Sequence, residues 1–300
     1  MKNQDNDLLV KKGSADDISF GCMSLDVKKG YSVKLLQSAF DNGINYYDTA
    51  DLYNQGKNEV LVGKALKPFR EKAIIATKVG NELNNEGTSW RWNPSKDYIL
   101  KAVDESLIRL QTDYIDLYQL HGGTIDDPID ETIEAFEILK AHGKIKAYGI
   151  SSIRPNVINE WAKRSNISNV MMQYSLLDRR PEETCLALLE SKQIDVLARG
   201  VLAKGLLIDK PPKQYIDHSE AAIDQYQRLL KEINKNSSLS ISLQFVLKNP
   251  AIASAVVGIR TEEQLKSVLM ALEEPDLSES DFGMLQKIFP RKNYDAHRIS

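Results

Sequence analysis

The chain has 300 residues, of which 42% are hydrophobic, and it carries a formal net charge of -3 at pH 7. This length allows a large hydrophobic core, and the weak charge argues against nucleic acid or an anionic membrane as a partner. The chain does not open on an apolar signal-peptide segment, and no run approaches the ~20 apolar residues of a membrane span. Two cysteines, Cys22 and Cys185, are too few for a disulfide framework. We therefore expect a cytoplasmic protein, either a monomer or a homo-oligomer.

Short apolar runs alternate with helix-period segments along nearly the whole chain. The apolar runs predict eight β-strands, at residues 18–23, 44–47, 73–77, 114–120, 145–150, 169–174, 194–198 and 253–258. The helical patterns predict helices at residues 33–40, 59–66, 99–110, 129–140, 157–164, 183–190, 222–233 and 261–272, with an additional helix at 240–248. Thr261 is a predicted N-cap of the last helix in this series.

Strands of this kind, apolar throughout and separated by helices, are typical of a parallel sheet that helices cover. At this length, closure into a (β/α)8 TIM barrel fits better than two dinucleotide-binding halves. No segment rich in Pro, Gly or Ser divides the chain. We expect a single α/β barrel domain over residues 1–300, with an N-terminal cap segment at 1–17, extra C-terminal helices and a C-terminal tail at 290–300.

Several common sites are not indicated by the sequence. The G-x-G-x-x-G dinucleotide pattern does not occur, and the segment from Gly56 to Ala65 lacks the glycine spacing and the Ser or Thr of a phosphate-binding P-loop. Cysteines, histidines and carboxylates do not cluster at metal-ligand spacing, so we expect no metal.

Four polar residues stand where apolar runs end: Asp48, Tyr53, Lys78 and His121. In a parallel barrel the carboxyl ends of all strands lie on one face, so these side chains are expected to share a pocket. Taken alone, each has an ordinary interpretation: a helix cap, a surface aromatic, a solvated strand end or a turn residue. Their occurrence together after the second, third and fourth strands favours a site that transfers a proton.

The chemistry of the four groups is consistent with reduction of a carbonyl. A tyrosine hydroxyl has a pKa near ~10, and a nearby ammonium stabilises its phenolate. Lys78, held by Asp48, supplies that field, while His121 orients a carbonyl oxygen. Tyr53 then protonates this oxygen as general acid. With no redox metal or reactive cysteine indicated, the hydride must come from a bound cofactor.

The sequence resembles the aldo-keto reductase superfamily over nearly its whole length. The resemblance rests on GINYYDTADLYN from Gly43 with N58-E, on A76-T-K, and on SLIRLQTDYIDLYQLH from Ser106. Shorter matches are KIKAYGISS from Lys144, YSLLDR from Tyr174, G205-L-L and GIRTEEQL from Gly258. The resemblance implies a barrel that binds NADPH across its C-terminal face, a small carbonyl substrate, and the tetrad Asp48, Tyr53, Lys78 and His121.

The resemblance also implies cofactor contacts, although four positions depart from the family pattern. Ser151 corresponds to a serine that holds the nicotinamide amide, and Tyr174 to a ring that stacks on the nicotinamide. Ser152 replaces an asparagine and Met171 a glutamine, and Gln173, on the same strand face as Met171, is a candidate substitute. The remaining expected contacts are Gly21, Cys22, Met23, Arg199, Gly200, Leu202, Gly258, Arg260 and Gln264.

Arg199 replaces a residue that is often aromatic, and its guanidinium either stacks on a flat ring, binds phosphate or forms a strand-end salt bridge. Arg260, near the N-terminus of the last helix in that series, is placed for the adenosine 2'-phosphate and so favours NADP. Val268 replaces an asparagine that contacts adenine.

The substrate pocket is less clearly specified. Trp90 and Trp92 offer flat apolar walls over the barrel mouth, or else seal the barrel top without touching substrate. Met23 and the tail either approach the mouth as well or, as the simpler interpretation of the tail, end in an ordinary frayed terminus.

Two other functions remain open at this point. One is the regulatory, channel-associated β-subunit branch of the same superfamily, which acts mainly as a protein partner. The other is a barrel enzyme in which Lys78 forms a Schiff base.

Overall fold

A computed structural model describes residues 15–84, 86–233 and 236–299. The strands in the described residues are β1 (Ile18–Gly21), β2 (Tyr46–Asp48), β3 (Ile74–Val79), β4 (Asn81–Leu83), β5 (Trp90–Trp92), β6 (Ile115–Leu120), β7 (Ile145–Ser151), β8 (Asn169–Gln173), β9 (Asp195–Arg199) and β10 (Ile252–Gly258). Eight of them close into a parallel barrel in the order β1, β10, β9, β8, β7, β6, β3, β2, which confirms the predicted (β/α)8 fold. The other two, β4 and β5, form a separate two-stranded sheet.

Helices cover the outside of the barrel. They are α1 (Tyr31–Asp41), α2 (Lys57–Leu66), α3 (Lys96–Leu110), α4 (Ile129–Ala141), α5 (Pro155–Arg164), α6 (Cys185–Ser191), α7 (Glu220–Glu232), α8 (Ser238–Leu247), α9 (Glu262–Leu272) and α10 (Glu279–Ile288). Thr261 caps α9, as predicted, by accepting a hydrogen bond from the backbone N–H of Gln264. None of the described helices is long and apolar enough to cross a membrane.

The hydrophobic core has two layers because successive strand residues point to opposite faces of the sheet. The inner layer fills the barrel and consists of Tyr46, Ala76, Leu117, Ala147, Met171, Leu197 and Val256. The outer layer lies between strands and helices and is much larger; it includes Phe136, Trp161 and Met172. The interior of the barrel is therefore closed by packed side chains rather than open as a pore.

A strand hairpin after β3 was not predicted. Residues 81–83 and 90–92, for which no strand was predicted, form β4 and β5, which pair antiparallel. Helix α10 is one of the extra C-terminal helices that were expected without bounds, and its capping box at Ser278 and Asp281 accounts for its start. The expected N-terminal cap segment lies outside the described residues except for 15–17, which form a short 3-10 helix.

The C-terminal tail runs back to the barrel mouth. The backbone N–H of Asn156 donates to the carbonyl of His297 at 2.8 Å, and the N–H of Tyr294 donates to the Glu183 carboxylate at 2.9 Å. Arg298 pairs with the same carboxylate. These contacts place four tail residues, 294–297, on the wall of the central cavity.

Candidate active site

Asp48 and Lys78 form a buried ion pair at the C-terminal end of the barrel. Asp48 is the last residue of β2 and Lys78 the penultimate residue of β3, and these strands are neighbours in the sheet. The Lys78 ammonium donates to Asp48 Oδ1 at 2.5 Å and to the backbone carbonyl of Thr49 at 2.8 Å. Burial lowers the pKa of Lys78, but Asp48 and then Tyr53 raise it, and the net shift is upward. The amine therefore stays protonated, which argues against a Schiff-base role.

Tyr53 lies beside this pair, on the turn that follows β2. The Lys78 ammonium is 5.3 Å from the centroid of the Tyr53 ring, close enough for its charge to act on the hydroxyl. Burial raises the pKa of the Tyr53 hydroxyl, Lys78 opposes this and Asp48 adds to it, so the net shift is upward. From the sequence, only the effect of the lysine on this pKa was expected. In the folded protein burial outweighs it, and Tyr53 retains its proton at neutral pH.

His121 completes the group and follows β6 directly. Its ring lies edge-on to that of Tyr53, with 5.8 Å between centroids and an interplanar angle of 81°. Burial lowers the pKa of the imidazole to about 3, with further contributions from Lys78 and Arg199. The ring is therefore neutral at pH 7. Its buried Nδ1 atom has no hydrogen-bond partner in the described part of the chain.

Buried polar side chains anchor the strands that carry the tetrad. Thr49 donates to the Asn58 side-chain oxygen at 2.6 Å, and the Asn58 amide donates to the carbonyl of Cys22 at 2.8 Å. These bonds link β2 and α2 to the segment after β1. Buried polar groups need such partners, which gives a physical reason for the Asn in the N58-E motif.

Glu59, the second residue of that motif, makes a parallel set of contacts. Its carboxylate accepts from Thr77, next to Lys78 in β3, and from Arg109 in α3, at 2.6 Å each. Glu59 is fully buried, so these two partners stabilise its charge. The motif fixes α2 and α3 to the strand that carries Lys78.

A cavity of about 930 Å³ opens above the tetrad, and its wall includes Asp48, Tyr53 and His121. This volume lies at the upper end of the range for small-molecule and cofactor sites. No group of three or more His, Cys, Asp or Glu residues suited to a metal ion occurs within the described ranges.

Residues 17–289 match the family model described as the aldo/keto reductase family. The chain belongs to this family. It is 48% identical to the uncharacterized oxidoreductase YqkF of Bacillus subtilis (strain 168), over 96% of this chain and 98% of that protein. Among solved structures it resembles aldo-keto reductase AKR11C1 from Bacillus halodurans in the holo form, with 46% identity and a TM-score of 0.90 over 97% of this chain and 99% of that one. The apo form of AKR11C1 matches at 44% identity and a TM-score of 0.80, over 94% and 95% of the two chains.

Eight of the expected cofactor residues of this aldo-keto reductase line the cavity. They are Gly21, Met23, Ser151, Ser152, Gln173, Arg199, Gly200 and Gly258. Most stand at or directly after the C-terminal ends of barrel strands. Gln173 accepts a hydrogen bond from Arg199 at 3.1 Å and donates to Asp178 at 2.8 Å, so both polar ends of its amide are held. Met171 also lines the cavity, on the same face of β8 as Gln173.

The other five expected cofactor residues do not line the cavity. Cys22 and Leu202 pack in or against the outer core, and Arg260 and Gln264 are exposed near the start of α9. Tyr174 requires a correction, because it lies on the outer face of β8, where its ring packs 6.0 Å from that of Phe245 and its hydroxyl donates to Glu182. A residue adjacent to Gln173 must point away from the cavity. It is therefore not placed to stack on a nicotinamide.

The two tryptophans also lie outside the cavity wall. Trp90 is 55% exposed on the β4–β5 hairpin. Trp92 packs its ring against Gly80 and Gly122, and its indole N–H donates to Asp127 at 2.9 Å. Of the two expectations for this pair, their position favours a sealing role for Trp92. Val268, which replaces the expected asparagine, is buried against the barrel in α9.

Several residues that line the cavity were not expected from the sequence. They are Ser24, Leu52, Gly122, Gly123, Ile153, Arg154, Arg180, Lys204, Tyr215 and Val256. Tail residues 294–297 also line the cavity, in agreement with the first of the two interpretations of the tail. Gly122 and Gly123 directly follow the predicted His121, so their position was open to inference. The others depend on how long loops and the tail fold over the barrel, and no local sequence pattern signals that.

Proposed function

We propose that this protein reduces aldehydes or ketones to alcohols with NADPH, and that Tyr53 is the general acid. The observation that carries the proposal is the buried Asp48–Lys78 pair in contact with Tyr53 at the base of a large cavity. A hydroxyl between an ammonium and an open cavity is a proton donor aimed at a ligand.

Each tetrad residue then has one task. The neutral His121 imidazole hydrogen-bonds the substrate oxygen and fixes its direction. Tyr53 gives that oxygen its proton, and Lys78 stabilises the phenolate that remains. Asp48 keeps the ammonium charged and in place, which its 2.5 Å contact supports. Electrostatic stabilisation by groups that are already oriented is usually a large part of an enzyme's rate enhancement.

The cavity wall suits an extended nicotinamide cofactor, which when bound supplies hydride to the carbonyl carbon. Ser151, Ser152 and Gln173 present hydroxyl and amide groups that match a carboxamide. Arg199 is placed by its bond to Gln173 at the end of β9, where its planar guanidinium can lie against a flat ring. Gly200 and Gly258 leave the backbone open to approach.

The preference for NADPH over NADH rests on Arg260. This residue is exposed beside the N-terminus of α9, where the helix dipole and the guanidinium both favour an anion such as the 2'-phosphate. Its backbone N–H donates to Gln264 Oε1 at 2.9 Å, so Gln264 shapes this loop.

The proposal is tested first by fluorescence titration with NADPH and NADH, then by turnover of an aldehyde panel by the wild type and Tyr53→Phe. We expect tighter binding of NADPH, and a loss of about 10²–10⁴-fold in kcat for Tyr53→Phe with NADPH affinity retained. Tyr118→Phe is the matched control, because its hydroxyl is buried in the outer core and has no partner among the described residues.

Near-normal turnover by Tyr53→Phe would refute the assigned mechanism. Size-exclusion chromatography, together with the turnover assay, distinguishes the reductase from the regulatory β-subunit role. A stable oligomer that binds NADPH but turns over none of the carbonyl compounds would favour the regulatory role.

A further inference from the structure

Arg154 is the feature of the cavity that the proposed function leaves unexplained. It follows β7 and precedes α5, it is partly buried, and it lines the cavity. Its guanidinium donates to the backbone carbonyl of Gly123, and no ion pair involves it anywhere in residues 15–84, 86–233 and 236–299. An arginine presents five N–H donors. Most of those on Arg154 are therefore left for a ligand or solvent.

The other cationic side chains of the cavity are either paired with a carboxylate or lie in the part of the wall assigned to the cofactor. Arg180 makes two 2.7 Å contacts with Asp178, so its charge is balanced. Arg199 is bonded to Gln173, and the proposed function assigns its guanidinium to the cofactor. Lys204 is exposed on the loop after β9, the part of the wall assigned above to the cofactor.

The position of Arg154 ties it to the substrate end of the cavity. Gly123, which anchors the guanidinium, is two residues after His121, so the two Cα atoms are at most about 7 Å apart. Ile153, beside Arg154, also lines the cavity, and with 45% of its surface exposed it adds an apolar surface to this part of the wall. A short carbon chain with a carbonyl at one end and an anion at the other fits this arrangement.

Two nearby carboxylates do not neutralise the site. Asp127 accepts hydrogen bonds from the backbone and side chain of Thr124 and from Trp92, so its oxygens are already occupied. Asp295 lines the cavity from the C-terminal tail and is exposed. It opposes anion binding weakly, because exposed charges are screened by water and salt.

We propose that Arg154 binds an anionic group of the substrate, so that the preferred substrates are oxo acids, in which a carboxylate lies a few bonds from the aldehyde or ketone. This inference rests on the proposed function. A carboxylate is the natural partner because its two oxygens match the planar guanidinium fork. Binding through Arg154 would hold the carbonyl against Tyr53 and His121.

The test compares 4-formylbenzoate with 4-formylbenzamide, which have nearly the same shape and differ in charge. We expect the wild type to favour the acid in kcat/KM, and Arg154→Gln to lower the acid-to-amide ratio by about 10- to 100-fold, as for loss of a charge-assisted hydrogen bond. Arg154→Lys should keep part of the preference. Arg164→Gln, which removes a charge at the far end of α5 where it pairs with Asp130, should keep all of it.

A structural role for Arg154 makes a different prediction. Loss of its bond to Gly123 would lower kcat/KM for both compounds alike and leave their ratio unchanged, which would overturn the proposal. A wild-type ratio near one would also overturn it.

Calorimetry separates this proposal from the proposed function. The alcohols 4-(hydroxymethyl)benzoate and 4-(hydroxymethyl)benzamide are titrated into protein saturated with NADP+, which requires no turnover. Tighter binding of the acid that is lost in Arg154→Gln supports the anion site even if neither aldehyde is reduced, whereas equal binding of the two alcohols refutes it. Absence of reduction alone counts against the reductase function.

Discussion

Removing Lys78 tests the electrostatic account of the tetrad most directly. The substitution Lys78→Met replaces a fully buried ammonium by an apolar chain of similar length and leaves Asp48, only 4% exposed, without its partner. Breaking one side of a buried ion pair costs about 3–5 kcal/mol. Burial raises the pKa of Asp48 and Lys78 opposes that rise, so in the variant the pKa of Asp48 is expected to be higher still.

The sign of the pH dependence follows from this raised pKa. As pH rises above ~4, the unfolded chain releases the Asp48 proton while the folded variant keeps it, so stability falls with increasing pH. Each pH unit contributes up to about 1.4 kcal/mol, so the variant should lose up to about 2.7 kcal/mol relative to the wild type between pH 5 and pH 7.

Urea unfolding of the wild type, Lys78→Met, Asp48→Asn and the double variant, at pH 5 and pH 7, measures these quantities. The double variant carries no carboxyl at position 48, so it should lack the loss of stability that Asp48 causes in Lys78→Met between pH 5 and pH 7, and it should be more stable than Lys78→Met at pH 7. The reasoning fails if Lys78→Met shows the same stability deficit at both pH values, or if the added Asp48→Asn change makes it worse.

Two further predictions concern His121 and the helix packing. Because burial lowers the pKa of His121 to about 3, the imidazole stays neutral from pH 5 to pH 8, and its proton NMR shift should show no titration in that range; a midpoint near ~6.5 would contradict the site geometry. A Cβ at Gly63 would overlap the backbone of Leu110 where α2 crosses α3, so Gly63→Ala should lower the free energy of unfolding by about 1–3 kcal/mol, measured by heat or urea. Gly283 in α10 has open space around it, so Gly283→Ala should raise the free energy of unfolding by about 0.5–1 kcal/mol. Equal effects of the two substitutions would show that α2 and α3 can separate freely.

The barrel was predictable because its strands are short apolar runs that alternate with helical segments. The tetrad was predictable for the same reason: Asp48, Lys78 and His121 stand at the ends of such runs, and parallel strands bring those ends together. For Tyr174, the family resemblance predicted a ring that stacks on the nicotinamide, but the structure places the ring against Phe245 instead. Strand alternation already placed Met171 and Gln173 on one face, and the same rule required Tyr174 to point outward, against Phe245.

The loops and the tail were not predictable on these grounds. Arg154 reaches the cavity wall because a glycine carbonyl 31 residues earlier accepts its guanidinium, and His297 does so because Asn156 holds its carbonyl. Such contacts join segments that carry no periodic pattern, so they cannot be predicted from the local sequence. The short β5 strand was missed because its residues, 90–92, pair only with a neighbouring hairpin strand.

The turn that carries Tyr53 contains one residue in a conformation that its side chain disfavours. Asn54 and Gln55 have φ angles of 51° and 58°, in the left-handed region; asparagine tolerates this region, whereas Gln55 loses roughly 1–2 kcal/mol there. Gly56 follows at φ 79°, and a Cβ there would meet Arg109 Cδ at 2.7 Å. The surrounding structure must supply this energy, and one contribution is the bond from the Gln55 amide to the carbonyl of Gly87 at 2.9 Å.

Arg109 connects this turn to Lys78. It packs against Gly56 and donates to Glu59, which accepts in turn from Thr77, the residue before Lys78. Tyr53 and the Lys78 ammonium are therefore fixed by the same buried carboxylate. Because the turn is anchored at both ends, Tyr53 has little freedom to adjust to a ligand. Under the proposed function, the fold sets the position of the proton donor, and selectivity among carbonyl compounds depends on the loops and tail above it.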